Sequence, residues 1–194
     1  QNYGNIKAGY KSPFSLPAIE NRHQDSNLNK EYSFDTYIEG DYNRLARSAS
    51  YAVATKPGVT SFNPLMIYGG VGLGKTHLIQ AIGNKIKETN PEHFVLYVAS
   101  EKFANQFIES LKNNNLQDFT NFYLNADTLI IDDVQFFRDK VKTQEIFFHI
   151  FNHLHQNGKQ IVMTSDCPPT ELKGLQERLV SRFKWGLTAD LTQP

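Results

Sequence analysis

Leu65-Met66-Ile67-Tyr68-Gly69-Gly70-Val71-Gly72-Leu73-Gly74-Lys75-Thr76 is the stretch on which the reading of this chain turns. An apolar run, a glycine-rich G-x-x-x-x-G-K-T turn and a following periodic segment predict a buried strand, a tight turn and a helix opening near Thr76. Each part has a chemical reason. Glycines accept positive φ angles and let backbone N–H groups come within hydrogen-bonding range of phosphate oxygens. The helix start aims its partial positive charge at the same oxygens. Lys75 would reach the β- and γ-phosphates, and the Thr76 hydroxyl would coordinate Mg²⁺. The bland alternative is a glycine turn followed by an accidental Lys-Thr; a strand before it and a helix after it argue against that.

Outward from this turn, strand and helix signals alternate. Upstream, an ordered segment begins around Tyr32–Gly40, and Arg44–Thr55, free of glycine and proline, predicts a helix that Lys56-Pro57-Gly58 breaks. Downstream, Thr76–Glu88 carries Leu78, Ile79, Ile82 and Ile86 on one helical face, and a strand follows at Phe94–Val98. Ser100 is placed to cap the next helix, where Phe103, Phe107 and Leu111 stack at i, i+4, i+8. A shorter helix covers Leu116–Leu124, and Thr128–Ile131 is a strand. The helix Thr143–Gln156 turns Ile146, Phe147, Ile150, Phe151 and Leu154 inward and stops at Asn157-Gly158. The strand Gln160–Thr164, a Pro168-Pro169 break, a short helix and a last strand Gly186–Leu191 complete the pattern. Repeated βα units predict an α/β fold with a parallel sheet covered by helices on both faces. Residues 1–29, poor in periodicity, read as a tether ahead of a core spanning 30–194.

Composition narrows the class. With 194 residues and 40% hydrophobic content, the chain can bury a sizeable core. Lys+Arg and Asp+Glu are 20 each, so bulk electrostatics would not grip duplex DNA, although a local basic stripe could still touch nucleic acid. A single cysteine, Cys167, precludes an internal disulfide and fits a reducing, cytoplasmic setting. No apolar stretch approaches the roughly 20 residues of a membrane span.

The second strong signal is Leu129-Ile130-Ile131-Asp132-Asp133. A parallel strand delivers its last residues to the carboxyl edge of the sheet, where open α/β folds bind ligands. Asp132 is then placed to hold the Mg²⁺ that Thr76 touches, and Asp133 to orient and deprotonate the attacking water. Taken alone, the pair could be a solvated turn. Thr164-Ser165-Asp166 ends the next strand on the same edge, where its polar groups can meet a γ-phosphate or a lytic water, or merely cap a turn. Arg178 and Arg182 share a helical face at i, i+4. That spacing fits an arginine finger delivered to a neighbouring subunit's nucleotide, and it also fits a surface helix laced with salt bridges. His149 and His153 have the spacing of a zinc pair, but no third ligand is evident and they read as surface histidines.

Together these residues resemble the bacterial chromosomal replication initiator (DnaA) family, ATPases of the AAA+ class, from about Asn29 to Pro194. The resemblance rests on Asn63–Leu78 around the glycine turn, on Ile131-Asp132-Asp133-Val134-Gln135-Phe136-Phe137, and on Glu177-Arg178-Leu179-Val180-Ser181-Arg182-Phe183-Lys184-Trp185-Gly186-Leu187. The last two strings are far more specific than a phosphate loop. The resemblance implies a P-loop NTPase of AAA+ type with a five-stranded sheet in the order 5-1-4-3-2. It implies ATP or ADP against Gly70, Gly72, Leu73, Gly74, Lys75, Thr76 and His77, with Ile38, Asn43 and Leu45 around adenine. Asp166 takes the sensor position, Arg182 the arginine finger, and Arg178 its companion at the subunit interface. Ile108 and Lys142 match positions that in the family bind single-stranded DNA in a filament's central channel. From the residues alone, Ile108 reads as core beside Phe107 and Lys142 as an ordinary surface lysine.

The expected activity is slow, switch-type ATP hydrolysis governing self-assembly into a helical oligomer on origin DNA, which is then unwound. A replicative helicase and regulatory AAA+ proteins are the further partners the resemblance suggests. Members of the family continue into a helical lid and a helix-turn-helix domain, both expected beyond Pro194. A helicase-loader ATPase is a near alternative, against which the Arg182–Leu187 string weighs. A small-molecule kinase would need a basic substrate lid, and no arginine-rich insertion follows Ser100. A module that binds nucleotide without turning it over would be separated by a turnover assay.

Overall fold

The structure, a computed structural model, describes residues 26–194. The chain runs through α1 (Arg44–Thr55), β1 (Leu65–Gly69), α2 (Lys75–Thr89), β2 (Val95–Ala99), α3 (Ser100–Lys112) and α4 (Leu116–Leu124). It continues through β3 (Thr128–Asp132), a 3-10 turn at Val134–Phe137, α5 (Val141–Gln156), β4 (Gln160–Ser165), α6 (Glu177–Phe183) and β5 (Leu187–Leu191). All strand pairings are parallel, in the order β2-β3-β4-β1-β5. Read from the opposite edge, this is the 5-1-4-3-2 order that the family resemblance implies.

Period-two alternation along the central strands divides the interior into two cores. Met66, Leu129, Ile131, Ile161 and Met163 face a cluster built around Phe103, Phe119, Tyr123, Phe137, Phe147, Phe151 and Phe183. Leu65, Ile67, Ile130 and Val162 face the opposite way, onto Ala46 and Val53 of α1 and Leu78, Ile79 and Ile82 of α2. Both faces of β3 and β4 are therefore buried along their full length, as expected of central parallel strands. The edge strand β5 is only partly covered.

Three local expectations are corrected. Ser100 does not cap α3; it is the helix's first residue, and its hydroxyl donates to the Asp132 carbonyl at 2.9 Å. Leu111 is 42% exposed rather than stacked under Phe103 and Phe107. It lies in the last turn of α3, one residue before the helix ends at Lys112. Ile108, read from the residues as core, is 45% exposed, one position past the buried face of Phe103, Ala104 and Phe107.

The tether expected over 1–29 lies outside the described residues as far as position 25. Residues 26–29 are docked: the Tyr97 N–H donates to the Ser26 carbonyl at 3.1 Å, and Leu28 packs on the core beside α2. Among the described residues, packing thus extends ahead of Lys30 to include 26–29.

Asp127 ties the amino ends of the strands together. Its carboxylate accepts the Phe94 N–H at 2.9 Å and faces the Lys159 ammonium at 2.8 Å, while its carbonyl accepts the Gln160 N–H at 3.2 Å. Burial works to raise the Asp127 pKa, but the bonds from Lys159 and Phe94 outweigh it and hold the carboxyl below its ordinary 3.8. A depressed carboxyl stabilises the fold above its unfolded pKa and loses that contribution as pH falls through the lower folded value. Asp127→Ala should cost about 1–2 kcal/mol in urea unfolding at pH 7. The difference from the parent should shrink in titrations carried out progressively below pH 4.

Candidate nucleotide site

The phosphate-loop geometry follows from two glycines in left-handed backbone, Gly72 at φ 77 and Gly74 at φ 88. A Cβ at Gly72 would meet nothing within 4 Å, so the loop opens onto free space there. At Gly74 a Cβ would come within 3.1 Å of the Tyr37 ring, which seats the preceding segment on the loop. Gly74 also precedes α2 directly, so the helix starts at Lys75, one residue earlier than the sequence pattern indicates. Lys75 is 8% exposed, and its ammonium donates to the Gly69 carbonyl at 2.8 Å and the Gly70 carbonyl at 2.7 Å.

Thr76 follows, and its hydroxyl donates to Oδ2 of Asp132 at 2.7 Å. The two residues are 56 positions apart in the chain. Because β4 lies between β1 and β3, the end of β4 completes the arrangement. The Thr164 hydroxyl donates to Oδ1 of Asp132 and accepts the Asp133 N–H at 2.8 Å. Tyr97, from β2, donates its hydroxyl to Oδ2 of Asp132 at 2.9 Å. Tyr97 was not singled out by sequence reasoning, since a tyrosine in an apolar strand signals only packing. Burial, followed by the Asp132 carboxylate, raises the Tyr97 pKa far above 10, so the phenol remains a proton donor.

A hydroxyl and a carboxylate side by side are hard oxygen ligands, and this donor set fits Mg²⁺. Asp133 adopts left-handed backbone at φ 59, a conformation Asp tolerates better than most residues. Burial, then the neighbouring Asp132 carboxylate, raises its pKa above 3.8, and Gln135 donates to its Oδ1 at 3.2 Å.

The sensor candidates separate. Thr164 is engaged with the aspartates, and Ser165 accepts the Cys167 N–H at 3.3 Å as a turn cap. Asp166 is exposed and lines a cleft of about 390 Å³ with Gln135, Phe136, Arg138, Asp139 and Lys140. Its charge contributes to the raised pKa of Asp133.

A second cleft, of about 290 Å³, opens beside the glycine turn and is lined by Tyr37, Ile38, Tyr42, Asn43, Gly72, Gly74 and His77, among others. Asn43 braces this wall: its amide donates to the Ile38 carbonyl at 2.9 Å and its oxygen accepts the Gly40 N–H at 2.9 Å. His77 anchors it, with Nε2 at 2.9 Å from the Ser33 carbonyl and its ring stacked on Tyr32 at 4.8 Å. Ile38 is 80% exposed over the cleft, whereas Leu45 is not among the lining residues.

The sequence and the fold are similar to those of known proteins. The model of the bacterial DnaA ATPase domain matches residues 28–190. The chain belongs to the bacterial DnaA ATPase-domain family. It is 59% identical over 184 residues to the chromosomal replication initiator protein DnaA of Flavobacterium psychrophilum, covering 95% of this chain and 38% of that protein. The chain therefore spans well under half the length of such relatives. Domain III of Thermotoga maritima DnaA superposes with a TM-score of 0.84 at 48% identity, covering 86% of this chain and 69% of that one. A replication initiator DnaA bound to AMPPCP and single-stranded DNA gives 0.83 at 41% identity, covering 86% and 51%.

The two arginines that read like a DnaA interface pair make no ion pair among the described residues. The salt-bridged surface helix is thus not what forms. Arg182 lies over the Trp185 ring at 4.0 Å and the Phe148 ring at 5.4 Å, and its Nε donates to Asn152 at 3.0 Å. Arg178 covers Phe148 at 4.4 Å and donates to Gln176 at 2.9 Å. Ile108 and Lys142 are both exposed, His149 and His153 likewise, and no metal-holding cluster of three side chains occurs among the described residues. No helix among them is long and apolar enough to cross a membrane. Trp185 is the only tryptophan in the chain, so it reports on its arginine neighbour. Arg182→Ala should shift its fluorescence emission to the red by uncovering one indole face to water, and an unchanged spectrum would contradict this packing.

Proposed function

We propose that the chain is the ATP-binding core of a replication initiator, in which bound ATP licenses assembly and slow hydrolysis ends it. The observation that carries this reading is the Thr76–Asp132 contact, which joins the glycine turn to the acidic pair at 2.7 Å. A DnaA relative at 41% identity is bound to AMPPCP, an ATP analogue, and this supports nucleotide as the ligand.

In this reading Gly70, Gly72, Leu73 and Gly74 cradle the phosphates with backbone N–H groups, and Lys75 turns its ammonium toward them. Ile38 and Asn43, with Leu45 at the margin and His77 behind, form the base and ribose wall. Thr76 and Asp132 hold Mg²⁺, which supplies charge neutralisation and orients phosphate oxygens. Asp133 is the proton acceptor for the attacking water, and its raised pKa improves it in that role. Asp166, at the same sheet edge, senses the terminal phosphate. Arg182 has its contacts on α5 and Trp185 rather than on its own glycine turn, which suits a finger presented to a neighbouring protomer. Arg178 accompanies it.

Around that core, the proposed partners are further copies of the protein in a helical oligomer and origin DNA. The single strand would be met by Ile108 and Lys142, both exposed. A replicative helicase and regulatory AAA+ proteins are proposed as further contacts, and a cytoplasmic setting accords with them.

Lys75→Ala should weaken ATP binding roughly 100-fold by calorimetry, since it removes charge-assisted bonds of about 1.5–3 kcal/mol. Unchanged affinity would overturn the site. Arg182→Ala should leave nucleotide affinity within about twofold while abolishing ATP-dependent assembly of the intact protein in sedimentation. A mutant that still assembles would remove Arg182 from the finger role.

A further inference from the structure

The Asp132 carboxylate accepts from three hydroxyls, of which only that of Thr76 has a part in the proposed hydrolysis. Thr76 belongs to the first turn of α2 and Thr164 to the central strand β4. Tyr97 comes from β2, at the sheet's outer edge, and still places its hydroxyl 2.9 Å from Oδ2 of Asp132.

What surrounds Tyr97 accounts for its placement. On the open side of β2, the Ser26 carbonyl accepts the Tyr97 N–H at 3.1 Å, and the Asn27 amide donates to the Tyr97 carbonyl at 3.4 Å. The segment thus takes both backbone groups of Tyr97 that an edge strand leaves unpaired. From α2, the buried Gln80 accepts the Asn29 N–H at 2.7 Å through Oε1. Gln80 thereby pins the segment to α2. Two more contacts hold residues 26–29 down. Asn84 donates to the Asn29 carbonyl at 2.7 Å and the Tyr32 carbonyl at 2.8 Å. Leu28 lies on Gly83 so closely that a Cβ there would meet it at 2.8 Å.

We propose that Tyr97 is a positioning residue for Asp132, held in that role by the docked segment Ser26–Asn29, which Gln80 pins from α2. The segment that leads into the domain thereby sets how firmly the metal-binding carboxylate is oriented. An ionised carboxylate offers about four lone-pair sites. Thr164 occupies one on Oδ1 and Tyr97 one on Oδ2, which fixes the carboxylate plane and the lone pair facing Thr76. Groups that orient a ligand in this way influence metal affinity about as strongly as some ligands do. The inference rests on the reading of Asp132 as a magnesium ligand.

The test is a binding measurement on the intact protein: ATP affinity by calorimetry with Mg²⁺ and with EDTA, whose ratio is the magnesium enhancement. Tyr97→Phe, which removes only the hydroxyl, should lower this enhancement about 10-fold and leave affinity in EDTA unchanged. A mere packing defect would alter both measurements together. Gln80→Leu and Leu28→Ala should each lower the enhancement in the parent and add nothing on the Tyr97→Phe background, because they act through the same hydroxyl. Additive losses would overturn the role of the segment, and an enhancement within twofold of the parent in Tyr97→Phe would overturn the role of Tyr97. Asp132→Ala separates the two levels. If it leaves the enhancement intact, the magnesium reading itself fails; if it abolishes the enhancement while Tyr97→Phe does not, only the positioning role fails.

Discussion

Much of this domain's organisation converges on one carboxylate, Asp132, which is 4% exposed and accepts hydroxyls from Thr76, Tyr97 and Thr164. A buried charge needs such donors, because an uncompensated carboxylate in a low-dielectric interior costs several kcal/mol. The donors arrive from β2, from β4 and from the first turn of α2, the helix that follows β1 and the glycine turn. The strand order β2-β3-β4-β1 is the arrangement that brings them to one point. Displacing any of these strands by one position would flip its side chains to the opposite face and dissolve the cluster.

The two cores on either side of that sheet differ in make-up. The face carrying α1 and α2 is mainly aliphatic, with Phe34 and Tyr37 as its buried aromatic members, and it fixes the glycine turn relative to β1. The other face is filled by interlocking aromatic rings, with Phe103 within 6 Å of Phe119, Tyr123, Phe137 and Phe147. That cluster bears on the 3-10 turn following Asp133 through Phe137, and on α6 through Phe183. Hydrophobic packing thus anchors both the acidic pair and the helix that presents Arg182. Arg182 itself rests on Trp185 and Asn152, contacts of the kind a cation can leave when a stronger anion is offered.

Sequence periodicity was a good guide where one face of an element is buried. Arg44–Thr55 and Leu116–Leu124 form as helices with the expected ends, and the βα alternation yields the parallel sheet. It was a poor guide at helix starts and margins. Ser100 looks like a cap because serines so often are, but a carbonyl of the neighbouring strand claims its hydroxyl first. Leu111 and Ile108 are apolar and next to core residues, yet both are exposed. Arg178 and Arg182 have a spacing that salt bridges and aromatic stacking satisfy equally well.

The order of amino acids settles the set of elements and the chemistry available at their ends. The glycine turn, the acidic pair and the polar end of β4 are each encoded within a few consecutive residues, and local propensity is a local property. Which of those groups meet is settled only in the folded chain. Thr76 and Asp132 are 56 residues apart, Tyr97 and Asp132 35, and Gln80 and Asn29 51. Such pairings depend on strand order, register and the docking of residues 26–29, which arise from burying two faces of one sheet at once. A tyrosine in an apolar strand could have been core alone. It bonds to the site's carboxylate because β2 lies next to β3, with Ala99 paired to Asp132.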